Sequence, residues 1–258
     1  MDKIVNIHPN AQIGENVVIE SFVSIAADVI IGDGTWIGPN AVIMDGSRIG
    51  KNCKIFPGAV IGGIPQDLKF KGEETTVVIG DNTTVREFVT INRGTAAKGT
   101  TIVGSNCLLQ SYSHIAHDCL LKDYVILGSY AGLAGEVVVD DHAIVSPYSA
   151  VHQFCHVGKH AFTGGGSLVR KDIPPYIIVA NEPLSYTGVN SVGLRRRGFS
   201  VEKINEIQNV YRYFYQKGLN TTQAINAVET EMELSIEVLE ILNFIKSSER
   251  GIIRGPND

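Results

Sequence analysis

One aliphatic residue recurs every six positions along most of this chain. Ile13, Ile19, Ile25, Ile31, Ile37, Ile43, Ile49, Ile55 and Ile61 keep the interval strictly, and it resumes at Ile79, Val85 and Ile91. After a second break it runs through Val103, Leu109, Ile115, Leu121, Leu127, Leu133, Val139, Val145, Val151 and Val157. So regular a repeat decides an architecture before any motif is weighed. Six residues fit neither the helical period nor alternation along one extended strand. They fit a short strand, a turn and one buried side chain on each side of a prism. Three sides close a coil of eighteen residues, as from Ile13 to Ile31, and coils stack by parallel strand pairing. Gly14, Gly32, Gly38, Gly50, Gly62, Gly80, Gly104, Gly128 and Gly158 directly follow repeat positions, which predicts turns of positive φ there.

The pattern resembles the hexapeptide-repeat proteins, and that resemblance implies a left-handed parallel β-helix, expected over residues 1–185. The hand comes from the resemblance alone, since the general crossover rule favours the opposite one. Two stretches break the beat and are expected to leave the prism as loops, at about 63–76 and 92–101. The first puts Asp67 and Glu73 where the repeat calls for aliphatics; long loops on a rigid scaffold are where binding residues gather. The second has a flexible composition and is expected only to wall a groove. Pro174, Pro175 and Pro183 then end the coils. A helical period follows, predicting a small α-helical C-terminal domain over 186–258 in an otherwise mainly β protein. Ser200 is placed to cap a helix whose apolar face is Ile204, Ile207, Tyr211 and Phe214, ending at Gly218. Asn220 with Gln223 forms a capping-box pattern, and Ser235 opens a third helix through Val238, Leu242 and Ile245.

A formal net charge of −5 and no long basic run argue against nucleic acid as a partner. No stretch reaches the length of apolar residues that a membrane span needs, and Met1–His8 lacks the features of a signal peptide. Cys53, Cys107, Cys119 and Cys155 form no CxxC pair. Cys119 and Cys155 are two coils apart in one column, roughly 10 Å, too far for a disulfide. Buried, reduced thiols and a cytoplasmic location are therefore expected.

Adding eighteen to a residue number should land on the same wall one coil higher. His117, Gly135 and Gln153 then share one column, Asp118 and Glu136 a second, and Ala116, Ala134 and His152 a third, with His114 just before Ile115. Ionisable side chains thus converge on one face within three coils, roughly 10 Å. A histidine there is suited to general-base work, and a neighbouring glycine offers an unencumbered N–H to a developing oxyanion. His142, His156 and His160 fall on other faces and are expected to be structural. Gly164-Gly165-Gly166 leaves either a relaxed turn or room for a long apolar ligand lying along the prism. Arg195-Arg196-Arg197 is either solvated surface or a place for phosphates.

Several runs resemble a specific family. Gln66-Asp-Leu-Lys69, His114-Ile-Ala-His-Asp-Cys119, Leu133-Ala-Gly135, Ala150-Val-His-Gln-Phe-Cys155, Asp172-Ile-Pro-Pro-Tyr176 and Asn190-Ser-Val-Gly-Leu-Arg-Arg-Arg-Gly-Phe199 are similar to those of the UDP-N-acetylglucosamine O-acyltransferases. The resemblance spans the chain from its first coils to its helical end. It implies a homotrimer, with sites between neighbouring prisms, that moves an (R)-3-hydroxyacyl chain from acyl carrier protein to the 3-hydroxyl of UDP-N-acetylglucosamine in lipid A synthesis. It implies no metal and no bound cofactor, the acyl chain arriving on the carrier's phosphopantetheine. Within it His117 is the expected base, Asp118 its orienting partner and the Gly135 N–H the oxyanion donor. Gln66, Asp67, Lys69 and His114 are expected at the sugar or donor, and His152 and Gln153 border the acyl or sugar site. Asn190, Arg196 and Arg197 match a nucleotide- and carrier-facing region, and Gly165 matches a chain-length ruler. Glu136 and Val192 depart from the family, which more often has histidine and a carboxylate there. A three-histidine zinc enzyme on the same scaffold is the alternative chemistry, and metal content separates the two. A related N-acyltransferase carries an extra N-terminal domain, whereas this repeat begins by Ile13.

Overall fold

The computed structural model describes residues 4–255. Among these residues short strands wind into three sheets of nine, eight and ten strands, the walls of a triangular prism, parallel except for the last strand of the third. Each strand pairs with the equivalent strand of the next coil, so Ile115 lies against Leu133 and Leu133 against Val151. The repeat positions fill the prism: Ile37, Ile55, Ile61, Val85, Ile91, Leu109, Ile115, Leu121 and Leu127 have no exposed surface. Ile13, in the first coil of the described residues, is 36% exposed.

The turns differ from the expectation. Among the glycines directly after repeat positions, only Gly62 has a positive φ. The left-handed residues stand three positions after the repeat residue: Asn52, Asn82, Asn106, Tyr112, Asp118, Tyr130 and Glu136 all have φ near +60°. The glycines serve close approach instead; a Cβ on Gly32 would lie 2.6 Å from the carbonyl carbon of Gly50 in the next coil. The aromatic corner residues stack at the coil pitch. Ring centroids of Phe88, Tyr112, Tyr130 and Tyr148 follow one another at 5.1, 4.9 and 5.1 Å.

Both interruptions leave the column in register. Ile61 pairs with Ile91 and Ile91 with Ile115, thirty and twenty-four positions on rather than eighteen. The excursions therefore insert twelve and six residues, whole multiples of the repeat. Strands Val60–Gly63, Thr76–Ile79, Thr90–Asn92 and Thr100–Val103 bound them, so the loops proper are 64–75 and 93–99.

The third sheet continues past the expected boundary at 185. Ile177–Ala180 adds in parallel and Ser185–Val189 returns antiparallel on it. Four helices follow: α1 (Ser191–Arg196), α2 (Val201–Tyr215), α3 (Thr221–Glu231) and α4 (Ile236–Ser247). Ser200, Asn220 and Ser235 cap the last three, and Asn220 and Gln223 complete the capping box. The short α1 has no counterpart in the helical pattern read from the sequence, because six residues hold less than two turns of periodicity.

The helices are tied down on the prism's last coils. The Tyr211 hydroxyl donates to the carbonyl of Pro175 at 2.6 Å, and that of Tyr176 to Glu240 of α4. A cleft of about 450 Å³ between prism and α4 holds ion pairs within it, Lys122 and His156 on Asp140 and Lys159 on Glu240. Among the described residues no helix is long and apolar enough to cross a membrane.

Candidate active site

His117 and Asp118 occupy the corner between the first two sheets, directly after strand His114–Ile115. The chain can place an aspartate there because its short polar side chain tolerates the left-handed backbone, here φ +61°. That turn buries Asp118 to 1% exposure and leaves His117 half-buried. Four hydrogen bonds hold Asp118. Its N–H donates to the Thr101 hydroxyl at 2.8 Å, and Oδ1 accepts from the Thr95 N–H at 3.0 Å. Oδ2 accepts from the Thr95 hydroxyl at 2.5 Å and from Nδ1 of His117 at 2.9 Å.

Burial works against a charge on Asp118, but the bonds from Thr95 and His117 outweigh it and hold the carboxyl below its ordinary 3.8. An ionised carboxylate only accepts, so Nδ1 of His117 is the donor in this bond, and in the neutral imidazole the lone pair then lies on Nε2. The same shift makes stability depend on pH. The unfolded chain binds this proton more tightly than the folded one, so the stabilisation is whole above 3.8 and drains as pH falls through the lower folded value. Thermal unfolding should therefore show wild type ahead of Asp118→Asn near neutrality and the gap closing toward pH 3. A gap independent of pH would contradict the assignment.

Gly135 is buried one coil above, with its main chain under the imidazole. The Glu136 N–H donates to the His117 carbonyl at 3.0 Å, and the Phe154 N–H to the Gly135 carbonyl at 3.2 Å. A Cβ on Gly135 would stand 2.6 Å from Cε1 and 2.7 Å from Nε2 of His117. Among the described residues the Gly135 N–H has no acceptor.

The first loop brings Asp67 over the same ring, its Oδ2 4.0 Å from Nε2 of His117. That is beyond a hydrogen bond, but a hydroxyl oxygen seated beside them reaches both at about 2.8 Å. Asp67 also shapes the loop tip, accepting from the Lys69 N–H at 2.9 Å, with Gln66, Leu68 and Lys69 exposed around it. His114 lies on the neighbouring wall, Nδ1 2.8 Å from the Thr90 hydroxyl. Burial lowers its pKa, so it is neutral at neutral pH. It faces Gly132 in the next coil, which opens onto free space. His152 and Gln153 are exposed one coil further up.

The remaining residues stand elsewhere in this chain. Asn190 is buried, caps α1 by accepting from the Gly193 N–H at 3.1 Å and donates to the His160 carbonyl at 3.0 Å. Arg196 is exposed on the last turn of α1, and Arg197 donates to the His142 carbonyl at 3.3 Å. They border the corner between the second and third sheets, and Gly165 the corner between the third and first. Cys119, next to Asp118, is no nucleophile: burial pushes its thiol up to about 12, and Sγ donates to the Ala134 carbonyl at 3.1 Å. All four cysteines are buried and unbridged.

Thr95 went unnoticed in the sequence. The only signal was a hydroxyl residue in an insertion whose length keeps register, and nothing local shows where it points. The second loop also sends Lys98 to Glu136, Nζ to Oε2 at 3.6 Å, so it grips the Asp118–Glu136 column rather than merely walling a groove.

The triangular prism is the architecture of the hexapeptide-repeat proteins, and residues 28–63 match the family pattern described as bacterial transferase hexapeptide (six repeats), which sets the class as a hexapeptide-repeat transferase. Residues 172–253 match the pattern described as UDP N-acetylglucosamine O-acyltransferase, domain 2. The acyl-[acyl-carrier-protein]--UDP-N-acetylglucosamine O-acyltransferase of Xanthomonas oryzae is 46% identical over 250 residues, 96% of this chain and 95% of that one. The UDP-N-acetylglucosamine acyltransferase structure from Bacteroides fragilis is 56% identical, with a TM-score of 0.97 over 98% of this chain and 100% of that one. The Francisella novicida UDP-N-acetylglucosamine acyltransferase is 40% identical, with a TM-score of 0.96 over 99% of this chain and 94% of that one. The chain belongs to the acyl-[acyl-carrier-protein]--UDP-N-acetylglucosamine O-acyltransferase family, and it is an enzyme of that kind.

Proposed function

We propose that this enzyme transfers an (R)-3-hydroxyacyl group from the phosphopantetheine thioester of acyl carrier protein to the 3-hydroxyl of UDP-N-acetylglucosamine, the first step of lipid A synthesis. The observation that carries the mechanism is the His117 ring, its Nδ1 2.9 Å from Oδ2 of Asp118 and its Nε2 turned to the Gly135 main chain. Nε2 takes the proton of the sugar hydroxyl as its oxygen attacks the thioester carbonyl. Charge develops on the carbonyl oxygen, where the free Gly135 N–H receives it. Collapse expels the phosphopantetheine thiolate, which takes the proton back from the imidazolium. No metal or bound cofactor enters these steps, and Asp118 stabilises the imidazolium without itself becoming protonated.

Asp67 is placed to share the sugar hydroxyl with His117, and Gln66, Lys69 and His114 surround that position. Along the wall beside His114, Gly132 and Ala150 make a smooth track toward exposed Leu168. His152 and Gln153 border it, and Gly165 stands beyond with only the Pro147 carbonyl oxygen, at 3.7 Å, near an added Cβ. This favours a long acyl chain. Asn190, Arg196 and Arg197 lie at another corner of the same prism, so a neighbouring copy is what brings a basic helix end to a His117 site. A homotrimer with clefts between prisms fits that division, and the half-exposed ladder of Phe88, Tyr112, Tyr130 and Tyr148 suits a subunit contact. Catalysis by a cytoplasmic enzyme on soluble substrates completes the proposal.

Mass spectrometry of the product from a mixed pool of acyl carrier protein donors tests reaction, acceptor and ruler together. The expected product is a base-labile ester of UDP-N-acetylglucosamine carrying a long hydroxyacyl chain, and Gly165→Met should move the preference to shorter chains. No product with any donor overturns the reaction. Short chains preferred by the wild type overturn the ruler alone.

A further inference from the structure

We propose that Thr95 is a positioning residue for the catalytic pair, and that the second loop is the brace that decides which nitrogen of His117 is free. The inference deepens the assignment of His117 as base and rests on it.

Thr95 is 6% exposed, whereas Ala96, Ala97 and Lys98 after it face solvent. Both of its donors go to one carboxylate: the N–H to Oδ1 of Asp118 at 3.0 Å and the hydroxyl to Oδ2 at 2.5 Å. The hydroxyl is itself oriented, accepting from the Ala97 N–H at 3.2 Å. Oδ2 is the oxygen that also meets Nδ1 of His117. The row therefore runs from the Thr95 hydroxyl through Oδ2 to the Nδ1 proton, and leaves Nε2 without one.

A buried carboxylate needs donors somewhere, so a purely structural threonine is the competing explanation. Coil geometry argues against it. The loop is a six-residue excess over a coil, and the same corner one and two coils up, at Glu136 and Phe154, turns without any such loop. The loop's inward contacts nevertheless converge on the catalytic column, Thr95 on Asp118 and Lys98 on Glu136. Its base is laced to the first loop as well. The Gly94 N–H donates to the Thr76 carbonyl and the Arg93 N–H to the Gly63 carbonyl, each at 3.0 Å, and Asn92 Nδ2 donates to the Ile64 carbonyl at 3.1 Å. The segment that fixes Asp118 and the segment that carries Asp67 are thus anchored to one another, on either side of the imidazole.

Removing the Thr95 hydroxyl takes a donor from a buried charge whose ionised form depends on such bonds. Asp118 then holds Nδ1–H less firmly, and the ring proton is shared between the two nitrogens. Thr95→Val keeps the branched shape and loses the hydroxyl; Thr95→Ser keeps the hydroxyl. The readouts are kcat and KM in the transfer assay and the ¹⁵N NMR signature of the His117 ring, assigned by its loss in His117→Gln. For Thr95→Val we expect kcat lower by about 10- to 100-fold, sugar KM changed by less than about 3-fold, and part of the Nδ1–H signal moved to Nε2–H. Thr95→Ser should restore both. An unchanged ring signature in Thr95→Val overturns the proposal whatever the rate, and so does equal impairment of the serine and valine variants. If the valine variant does not fold, Thr95→Ala is read in the same way. The ring signature reports the brace even if His117→Ala were to keep its activity, so failure of the brace and failure of the base are told apart.

Discussion

His117→Ala is expected to lower the transfer rate by about 100- to 10,000-fold while leaving the prism intact. The sugar hydroxyl is a weak nucleophile near neutrality; Asp118 is turned inward and His114 is engaged by Thr90, which leaves the Asp67 carboxylate beside that hydroxyl, and carboxylates are weaker bases than imidazole. The fold should survive because His117 stands on an outer corner and contributes no repeat residue to the core. Asp118 keeps three of its four hydrogen bonds, those with Thr95 and Thr101. Thermal unfolding run beside the transfer assay checks both halves. An undiminished rate in a folded variant would remove His117 from the mechanism.

Gly135→Ala should be nearly as severe by a different route. The backbone there tolerates a side chain, but the added methyl would enter the imidazole, 2.6 Å from Cε1 and 2.7 Å from Nε2. The ring is the free end of a side chain, so it yields before the backbone does. In moving aside it gives up the 2.9 Å bond to Asp118 and leaves the proposed oxyanion donor. A displacement of about 1 Å at reacting atoms costs roughly 100-fold. The measurement is kcat, with the His117 ring signature reporting the displacement. Wild-type kcat would mean that the close approach of ring and main chain has no part in catalysis.

These contacts show what kind of information the sequence holds. The six-residue beat is local: each coil repeats the same burial, so Ile37 and Leu121 announce the wall they line. Stacking by eighteen is equally local once the coil is recognised, and the sequence alone sets His117 against Gly135 and Asp118 against Glu136 of the next coil. The turns misled because glycine serves two purposes. Gly32 is there to let coils touch, while Asn52 and Asp118, three places after repeat residues, take the left-handed backbone. Thr95 stayed hidden because a loop residue's partner is set by where the loop lands, which no periodicity encodes. Asn190 shows the same limit from the other side. The family resemblance implies a place for it at the nucleotide, and within this chain its oxygen caps α1 and its amide holds the His160 carbonyl. The helical boundary slipped for a related reason: Ser185–Val189 is a strand only because Ile177–Ala180 offers an edge to pair with.

In the proposed mechanism one imidazole takes the proton from the acceptor sugar at Nε2. The pH dependence of kcat/KM for transfer, measured on wild type beside His117→Ala, tests it most directly. The wild type should show an acid limb that is absent from the residual rate of His117→Ala. An acid limb of the same position and slope in His117→Ala would assign the proton transfer to another group and contradict the account.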